Sequence, residues 1–375
     1  LHCPRKGLVG PWGHTYPEQG YPGPAIGFLQ EGLRWWDYWL KDLNTGIMEE
    51  DMYRVWMQDY VKPSATLEHV PGRWINEPIW PSPNVETKIL YLDQAGLKTN
   101  RGEPTIIQHS SPQSLGVTGG RWCPYGMGGS SPDLAIDQRE DDGRSICFDG
   151  PILADPLPIL GAPTISLRFA INQSQGFIAV RLMDVAPDGT SKRVSYGLIN
   201  LTHREDHEHI EAMVPGEWSD VQITLNDLAH RFSSGHRIRV AISTAYWPMV
   251  WPSPAAVNLL IATDNSAINL PVRRTDSEDI LEFSIPEIAP MGKFRSIEPP
   301  FSSLTVSRDL AEGVWNQKLV ENHGLAHIDA INLDVGDGLT CEYSIKDDDP
   351  LSATAVWNWH TLRRRKEWDL NIQTT

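Results

Sequence analysis

The 375-residue chain has little of what a membrane protein, a disulfide scaffold or a nucleic-acid-binding surface requires. No stretch approaches 18 consecutive apolar residues, so the sequence predicts no membrane-spanning helix. Four cysteines without Cys-x-x-Cys spacing are too sparse for a disulfide framework and indicate reduced thiols and a cytoplasmic location. The net charge of -16 disfavours binding to nucleic acid or to an acidic membrane surface.

Motifs that mark a complete enzyme are also missing. There is no Gly-x-Ser-x-Gly nucleophile elbow, and the nearest approach, GGSSP at residues 128–132, ends in proline. Neither a phosphate-binding Walker motif nor a Gly-x-Gly-x-x-Gly dinucleotide motif after a strand is present, so no cofactor is predicted. The chain therefore offers no complete set of nucleophile, base and orienting acid.

The first residues do not read as a natural start. Leu1 stands where a methionine would, and residues 2–6 have neither the apolar core nor the cleavage site of a signal peptide. Residues 7–10 read as the end of a short buried strand that runs into a loop. We expect the chain to be a piece of a longer protein, with any targeting signal before Leu1.

Tryptophan, proline and glycine are abundant, at 15, 29 and 30 residues, which favours many short strands joined by turns. Apolar residues alternate with polar ones in several short segments, as in half-buried antiparallel strands. These segments are residues 53–57, 87–92, 164–169, 176–184, 194–201, 221–225 and 237–243. The pattern predicts an antiparallel β-sandwich with one solvated face on each sheet, and strands again at residues 339–345 and 353–360.

One helix interrupts this β pattern. Apolar residues recur at helical spacing from Phe28 to Leu40, with Leu29, Leu33 and Trp36 on one stripe. Such an aromatic stripe is typical of a helix face that packs into a core.

Histidines and carboxylates supply the candidate site residues. His14 lies in a Gly-rich loop just after a predicted strand, a position from which an imidazole can reach a serine hydroxyl. The His203, His207 and His209 group uses metal-ligating residue types, but its dense charge favours a solvated loop, so no metal is predicted. His323 and His327 lack an HExxH glutamate. We interpret residues 347–349 (DDD) as surface charge and residues 363–365 (RRR) as a solvated face or local salt bridge.

Several segments together resemble one family, the cocaine esterase-like acyl esterases and X-Pro dipeptidyl-peptidases, known as the CocE/NonD hydrolases. They are GPWGH at 10–14, RWWDYWLK at 34–41, DQR at 137–139, FDGP at 148–151, LMDVAPDG at 182–189 and FSSGHRIR at 232–239. The similarity runs from about residue 7 to about residue 290, and no motif places the residues after 300.

The resemblance implies a serine hydrolase whose triad runs Ser, Asp, His along the chain. His14 would be the triad histidine, with the nucleophile, the acid and the oxyanion hole before Leu1. His236 is interpreted as structural, a polar ring that satisfies backbone groups of a turn. The implied substrate is an ester, an amide or a short X-Pro peptide, and esterase and dipeptidyl-peptidase activity both stay open.

With this resemblance, the predicted fold is mainly β: a jelly-roll sandwich preceded by the C-terminal remnant of an α/β-hydrolase domain. The remnant covers residues 1–48, the jelly roll residues 49–290, and a linker with a β-rich extension residues 291–375. We expect the chain alone to be inactive and to need the missing hydrolase domain as its partner. The sequence leaves the oligomeric state open, a homo-oligomer included.

A second hypothesis is a stand-alone β-sandwich that binds carbohydrate or another ligand. Exposed indole rings stack well on sugars, and Trp247, Trp251, Trp357 and Trp359 could form such a platform. Most tryptophans, however, lie within strand or helix patterns and are better interpreted as core.

Overall fold

The computed structural model describes residues 3–125, 131–274, 282–290 and 292–375, and it is built mainly from β-strands. The strands are β1 (Gly7–Val9), β2 (Tyr53–Gln58), β3 (Gly72–Glu77), β4 (Val85–Asp93), β5 (Gly96–Lys98), β6 (Ile106–His109), β7 (Ile146–Asp149), β8 (Leu157–Gly161), β9 (Thr164–Ile171), β10 (Phe177–Val185), β11 (Ser191–Asn200), β12 (Ser219–Thr224), β13 (Leu228–Phe232), β14 (Arg237–Ser243), β15 (Leu259–Arg273), β16 (Phe294–Glu298), β17 (Phe301–Asp309), β18 (Val314–Ile328), β19 (Leu333–Lys346), β20 (Asp349–Arg365) and β21 (Trp368–Thr374). Each predicted strand segment coincides with one of them.

Two sheets form a sandwich. In the described residues the larger sheet has eleven strands and runs β1-β2-β13-β8-β15-β4-β5, with β3 beside β2, β6 and β9 beside β15, and β12 beside β9. Its neighbours are antiparallel except that β2 is parallel to β1 and to β13. The smaller sheet has the order β11-β10-β14-β7 and is antiparallel throughout.

The main core lies between these two sheets. Phe169 on β9 and Ile261 on β15 point from the larger sheet, and they meet Phe148, Val180 and Val240 from the smaller one. All five side chains are buried. Burying a large apolar side chain contributes about 1.5–3 kcal/mol, so this face-to-face packing is the principal stabilisation of the sandwich.

The prediction of one solvated face on each sheet is wrong for β10, because all nine of its residues are buried. Its second face carries Arg181, whose guanidinium forms an ion pair with Asp142 at 3.1 Å. The same side chain donates hydrogen bonds to Gln138 Oε1 (3.2 Å) and Ser145 Oγ (2.7 Å). The chain around residues 138–145 therefore covers this face and replaces water as the partner of a buried charge.

A loop that we call the 111–125 segment lies beside this covered face. The Asp141 carboxylate accepts hydrogen bonds from the backbone N–H groups of Gly116 (3.0 Å) and Thr118 (3.3 Å). Gly116 has φ +118°, and a Cβ there would lie 2.6 Å from the carbonyl oxygen of Trp247. Only glycine permits both this conformation and this close approach.

The last strands form a third sheet, the tail sheet, in the order β16-β18-β19-β20-β21 with β17 beside β18. Gln317 Nε2 donates to the carbonyl of Val117 at 3.1 Å. The Asp347 carboxylate accepts hydrogen bonds from the Ser114 hydroxyl and, at 2.9 Å, from Trp315 Nε1. The prediction that Asp347 is simple surface charge is therefore wrong, because this residue joins the tail sheet to the 111–125 segment.

The predicted helix is present as α1 (Phe28–Lys41), and α2 (Arg139–Asp142) is a single turn. In the described chain, no residue of α1 is buried, so the prediction that its stripe packs into a core is not met there. Leu33 and Trp36 are 57% and 55% exposed. None of the helices in the described ranges has the length and apolarity that a membrane crossing requires.

Candidate active site

His14 follows β1 in a loop whose backbone is fixed by hydrogen bonds. The Gly13 N–H donates to the carbonyl of Tyr21 at 2.8 Å, and Trp12 Nε1 donates to that of Pro24 at 2.7 Å. β1 is anchored by parallel pairing with β2, so the loop starts from a fixed strand end. This is the strand-to-loop arrangement that the sequence predicted for His14.

The His14 side chain is exposed, and its surroundings come from the 111–125 segment. Its backbone N–H lies 3.0 Å from the carbonyl of Tyr125, and the two rings are 4.9 Å apart. The contact with Tyr125 was not foreseen, because the two residues are far apart in sequence and lie in loops without periodicity.

The structure shows no triad around His14 within the ranges it describes. No hydroxyl, thiol or carboxylate of a described residue hydrogen-bonds the imidazole. Of the GGSSP stretch considered as a nucleophile elbow, residues 128–130 lie outside the described residues. The role of His14 therefore stays a prediction.

A buried cluster joins the two strand signatures of the sequence. Asp184 on β10 accepts a hydrogen bond on each carboxylate oxygen, from His230 Nε2 at 2.8 Å and from His236 Nδ1 at 2.7 Å. All three side chains are buried. Burial lowers the pKa of His230, and the hydrogen bond to Asp184 offsets only part of this effect.

We interpret this cluster as structural, because its three side chains are buried. Asp184 lies on the smaller sheet and His230 on β13 of the larger one, so the carboxylate connects the two layers. The prediction that the His236 ring satisfies backbone groups of its turn is wrong. The ring bonds the carboxylate instead, because folding places the start of β14 beside β10.

Lys192 adds a testable consequence to this cluster. It lies directly opposite Asp184 on β11, and within the described chain its buried Nζ has no hydrogen-bond partner. Burial lowers the pKa of Lys192 to about 8, although Asp184 and Asp59 act to raise it. The loss of hydration of the Lys192 ammonium thus outweighs its attraction to the two carboxylates, and folding disfavours the charged form of this side chain.

We expect Lys192→Met to raise the free energy of unfolding at pH 7 by about 1–3 kcal/mol. Because the folded pKa lies below the unfolded value of 10.5, the wild-type chain should also gain stability as pH rises from 8 to 10.5. Urea unfolding at pH 7 and pH 10 measures both effects. The exposed Lys98→Met is the matched control, and a less stable Lys192→Met variant would contradict the interpretation.

The other predicted residues do not assemble into a site. Nδ1 of the exposed His207 lies 3.4 Å from Nδ1 of the half-buried His203, and His327 is paired with Asp334 at 2.6 Å. Within the described residues, no group of three or more His, Cys, Asp or Glu side chains is arranged to hold a metal ion. The predicted local salt bridge is present, since Arg363 pairs with an aspartate of β19, Asp337, at 2.9 Å.

The four-tryptophan platform is only partly formed. Trp247 is fully buried against the tail sheet and cannot stack on a ligand. Trp251 is exposed elsewhere, beside Pro252. Trp357 and Trp359 remain exposed, with ring centroids 6.5 Å apart.

Comparisons with known proteins find relatives that are named as esterases. A Mycobacterium bovis protein named as a serine esterase is 26% identical over 64% of this chain and 40% of its own length. The cocaine esterase of a Rhodococcus species is 26% identical over 47% of this chain and 32% of its own length. The chain therefore spans well under half the length of these relatives.

Solved structures share the fold at lower identity. An aminopeptidase from a marine-sediment Thaumarchaeota archaeon has a TM-score of 0.57 and 19% sequence identity to this chain. The match covers 72% of this chain and 49% of the aminopeptidase. An α-amino acid ester hydrolase also has a TM-score of 0.57 and 19% sequence identity to this chain. Here the match covers 71% of this chain and 50% of the ester hydrolase.

The family comparison covers the sandwich itself. The sequence model described as the X-Pro dipeptidyl-peptidase C-terminal non-catalytic domain matches residues 45–270, which is more than half of the chain. The match begins just after α1 and ends within β15, so it contains both sheets of the sandwich except β1 and excludes the tail sheet. The chain belongs to the family of X-Pro dipeptidyl-peptidase C-terminal domains found in CocE/NonD-type hydrolases.

Proposed function

We propose that this chain is the C-terminal part of a serine hydrolase that cleaves acyl esters, amides or X-Pro peptides. The family match and the named esterases support the reaction class. Because the chain covers only 40% of the mycobacterial relative, the nucleophile and the acid are proposed to lie in a further domain.

The observation that carries this proposal is the exposed His14 imidazole on a loop of fixed backbone. A general base has to reach a hydroxyl on another part of the protein, which requires a ring that is accessible yet held in place. The hydrogen bonds of Gly13 and Trp12 hold the loop, and the His14 ring packs against the ring of Tyr125. By contrast, His230 and His236 are buried on a carboxylate and cannot serve this purpose.

In this mechanism His14 accepts the proton of the serine hydroxyl as its oxygen attacks the carbonyl carbon of the substrate. The same proton is then donated to the departing alcohol or amine, which leaves an acyl-enzyme. A water molecule then attacks the acyl-enzyme. His14 accepts the proton of this water and donates it to the serine oxygen, which releases the carboxylic acid and the free serine.

The apolar face of α1 supports the presence of a further domain. Leu29, Leu33, Trp36, Trp39 and Leu40 are all exposed in the described chain. Leaving such side chains in water forfeits about 1.5–3 kcal/mol each, and a patch of this kind favours association. We propose that residues 1–48, with the His14 loop and α1, form the end of an α/β-hydrolase domain whose remaining part covers this face of α1. Within these residues, β1 also joins the edge of the larger sheet by pairing with β2. We propose that residues 49–290 are a jelly roll.

The 375-residue chain made alone is expected to hydrolyse no ester and to associate in solution. Within the described residues, no nucleophile or oxyanion hole is positioned beside the proposed base His14, and α1 presents an apolar face that no described residue buries. Hydrolysis of p-nitrophenyl butyrate and light scattering measure the two effects. Trp36→Glu should reduce association whereas Trp251→Glu should not, and a monodisperse chain that turns over ester would contradict this prediction.

The function itself is tested on the longer protein that contains this chain. Covalent labelling of a serine by a fluorophosphonate, with loss of p-nitrophenyl butyrate hydrolysis, is the expected result. Turnover of Ala-Pro-p-nitroanilide, compared with that of the ester, assigns the peptidase or the esterase reaction. A protein that neither labels nor turns over either substrate would overturn the proposal.

A further inference from the structure

A cavity of about 760 Å³ lies between the 111–125 segment and the tail sheet. Its volume falls within the range of roughly 300–1,000 Å³ that is typical of small-molecule sites. The tail sheet lies outside the residues that match the family, so family membership assigns no role to this cavity.

One wall of the cavity is a single face of the tail sheet. Side chains alternate between the two faces of a strand, and the strand register places Glu321, Leu339 and Trp359 in one row. The adjacent row brings Leu319 beside Trp357 across β19. All five of these side chains line the cavity.

At the other end of the tail sheet, the same face is buried. Trp315 and Ile345 are buried there against Trp247 and Val117 of the sandwich. Toward the cavity this cover ends, and Trp359 is left 52% exposed. The exposed rings are therefore the continuation of a packing surface that no described residue covers.

The opposite wall is also aromatic. Trp122, 72% exposed, and Tyr125 of the 111–125 segment line it together with Met249. Indole rings on two facing walls can hold a flat ligand by stacking, an arrangement that suits any aromatic ring.

Charge decides which ring-bearing ligands suit the cavity. The lining includes the carboxylates of Glu321 and Asp337 and, among the described lining residues, one permanent cation, Arg121. Arg121 is already engaged with Glu321 at 3.2 Å, and the Ser131 hydroxyl donates to the same carboxylate at 2.6 Å. Asp337 is likewise paired with Arg363 at 2.9 Å. An anionic ligand would therefore find the one permanent cation of the described lining already held by a carboxylate, whereas a ligand without negative charge meets the faces of the aromatic rings, which attract a cation.

We propose that this cavity binds a planar aromatic molecule that carries no negative charge, stacked on the indole rings of Trp357 and Trp359. The site goes beyond the proposed hydrolase function, because binding here requires neither His14 nor a nucleophile. Tyr125 nevertheless joins the two places, since its ring lines the cavity and lies 4.9 Å from the ring of His14.

The test is a calorimetric titration of the 375-residue chain with 1-naphthylmethylammonium, and with 1-naphthoate as the anionic counterpart. Saturable binding of the ammonium, at least tenfold tighter than that of the carboxylate, is the expected result. Trp359→Ala and Trp122→Ala should each weaken binding about tenfold, as loss of one stacking ring does elsewhere. Trp359→Phe, which keeps a ring, should restore most of the affinity.

Matched controls separate the cavity from general adhesion to apolar surface. Trp368→Ala removes an indole that is also 52% exposed on the tail sheet but does not line the cavity, and Trp36→Ala removes one from α1. Both should leave the dissociation constant unchanged. Because Trp122 lies in a loop, its variant remains informative if Trp359→Ala disturbs the sheet.

Three results would overturn the proposal. The first is naphthoate binding as tightly as the ammonium, and the second is an unchanged dissociation constant in both Trp122→Ala and Trp359→Ala. The third is saturable binding of cellobiose without binding of either naphthyl probe, which would assign the rings to carbohydrate.

Discussion

The His14→Ala substitution, made in the longer hydrolase that we propose contains this chain, is expected to lower kcat by roughly 10³-fold or more. Without the imidazole, the serine hydroxyl keeps its proton during attack, and the leaving group receives none. KM should change little, because a general base acts on the reacting atoms and does not bind the remainder of the substrate. Steady-state hydrolysis of p-nitrophenyl butyrate measures both constants.

His209→Ala is the matched control for this experiment. The His209 side chain is also exposed, and it lies in the loop between β11 and β12, away from the His14 loop. Its removal should leave kcat unchanged, and unchanged circular dichroism would show that both variants are folded. If His14→Ala retained most of its kcat, another residue would have to be the base.

The second large effect concerns stability. Asp184→Ala is expected to lower the free energy of unfolding by about 3–5 kcal/mol, because it leaves buried groups without their partner. His230 and His236 each lose a hydrogen bond, and Lys192 loses its facing carboxylate. Urea unfolding at pH 7 measures the loss.

Asp184→Asn should be less harmful, since an amide keeps the shape and can still hydrogen-bond both rings. The exposed Asp155→Ala provides the control and should stay within about 0.5 kcal/mol of the wild type. A stability loss for Asp184→Ala no larger than that of Asp155→Ala would show that the cluster does not hold the two sheets together.

Much of the local structure was predictable because periodicity is a local property. The helical spacing from Phe28 to Leu40 predicted α1, and period-two segments such as residues 237–243 predicted strands. The position of His14 in a loop after β1 was equally predictable. The family resemblance was carried by short signatures, and the match over residues 45–270 confirmed it.

Burial was harder to foresee, because it depends on what lies above a face. Arg181 alternates with apolar residues and so falls on the face of β10 that the pattern predicts to be solvated, yet this side chain is fully buried and paired with Asp142. Trp36 was interpreted as core and is exposed, since no described residue packs over that side of α1. A sequence pattern shows that a face is apolar or polar, but not which other segment reaches it.

The sequence by itself determined the long helix and those strands of this protein that carry a clear period-two pattern, together with the hydrolase family that its signatures resemble. Only the tertiary structure decided the partners. Asp184 meets His230 and His236 across 46 and 52 residues of chain, and Tyr125 meets His14 between two loops. Such contacts depend on strand order and on how layers stack, and these arise from the packing of the whole chain, not from the pattern of any one segment.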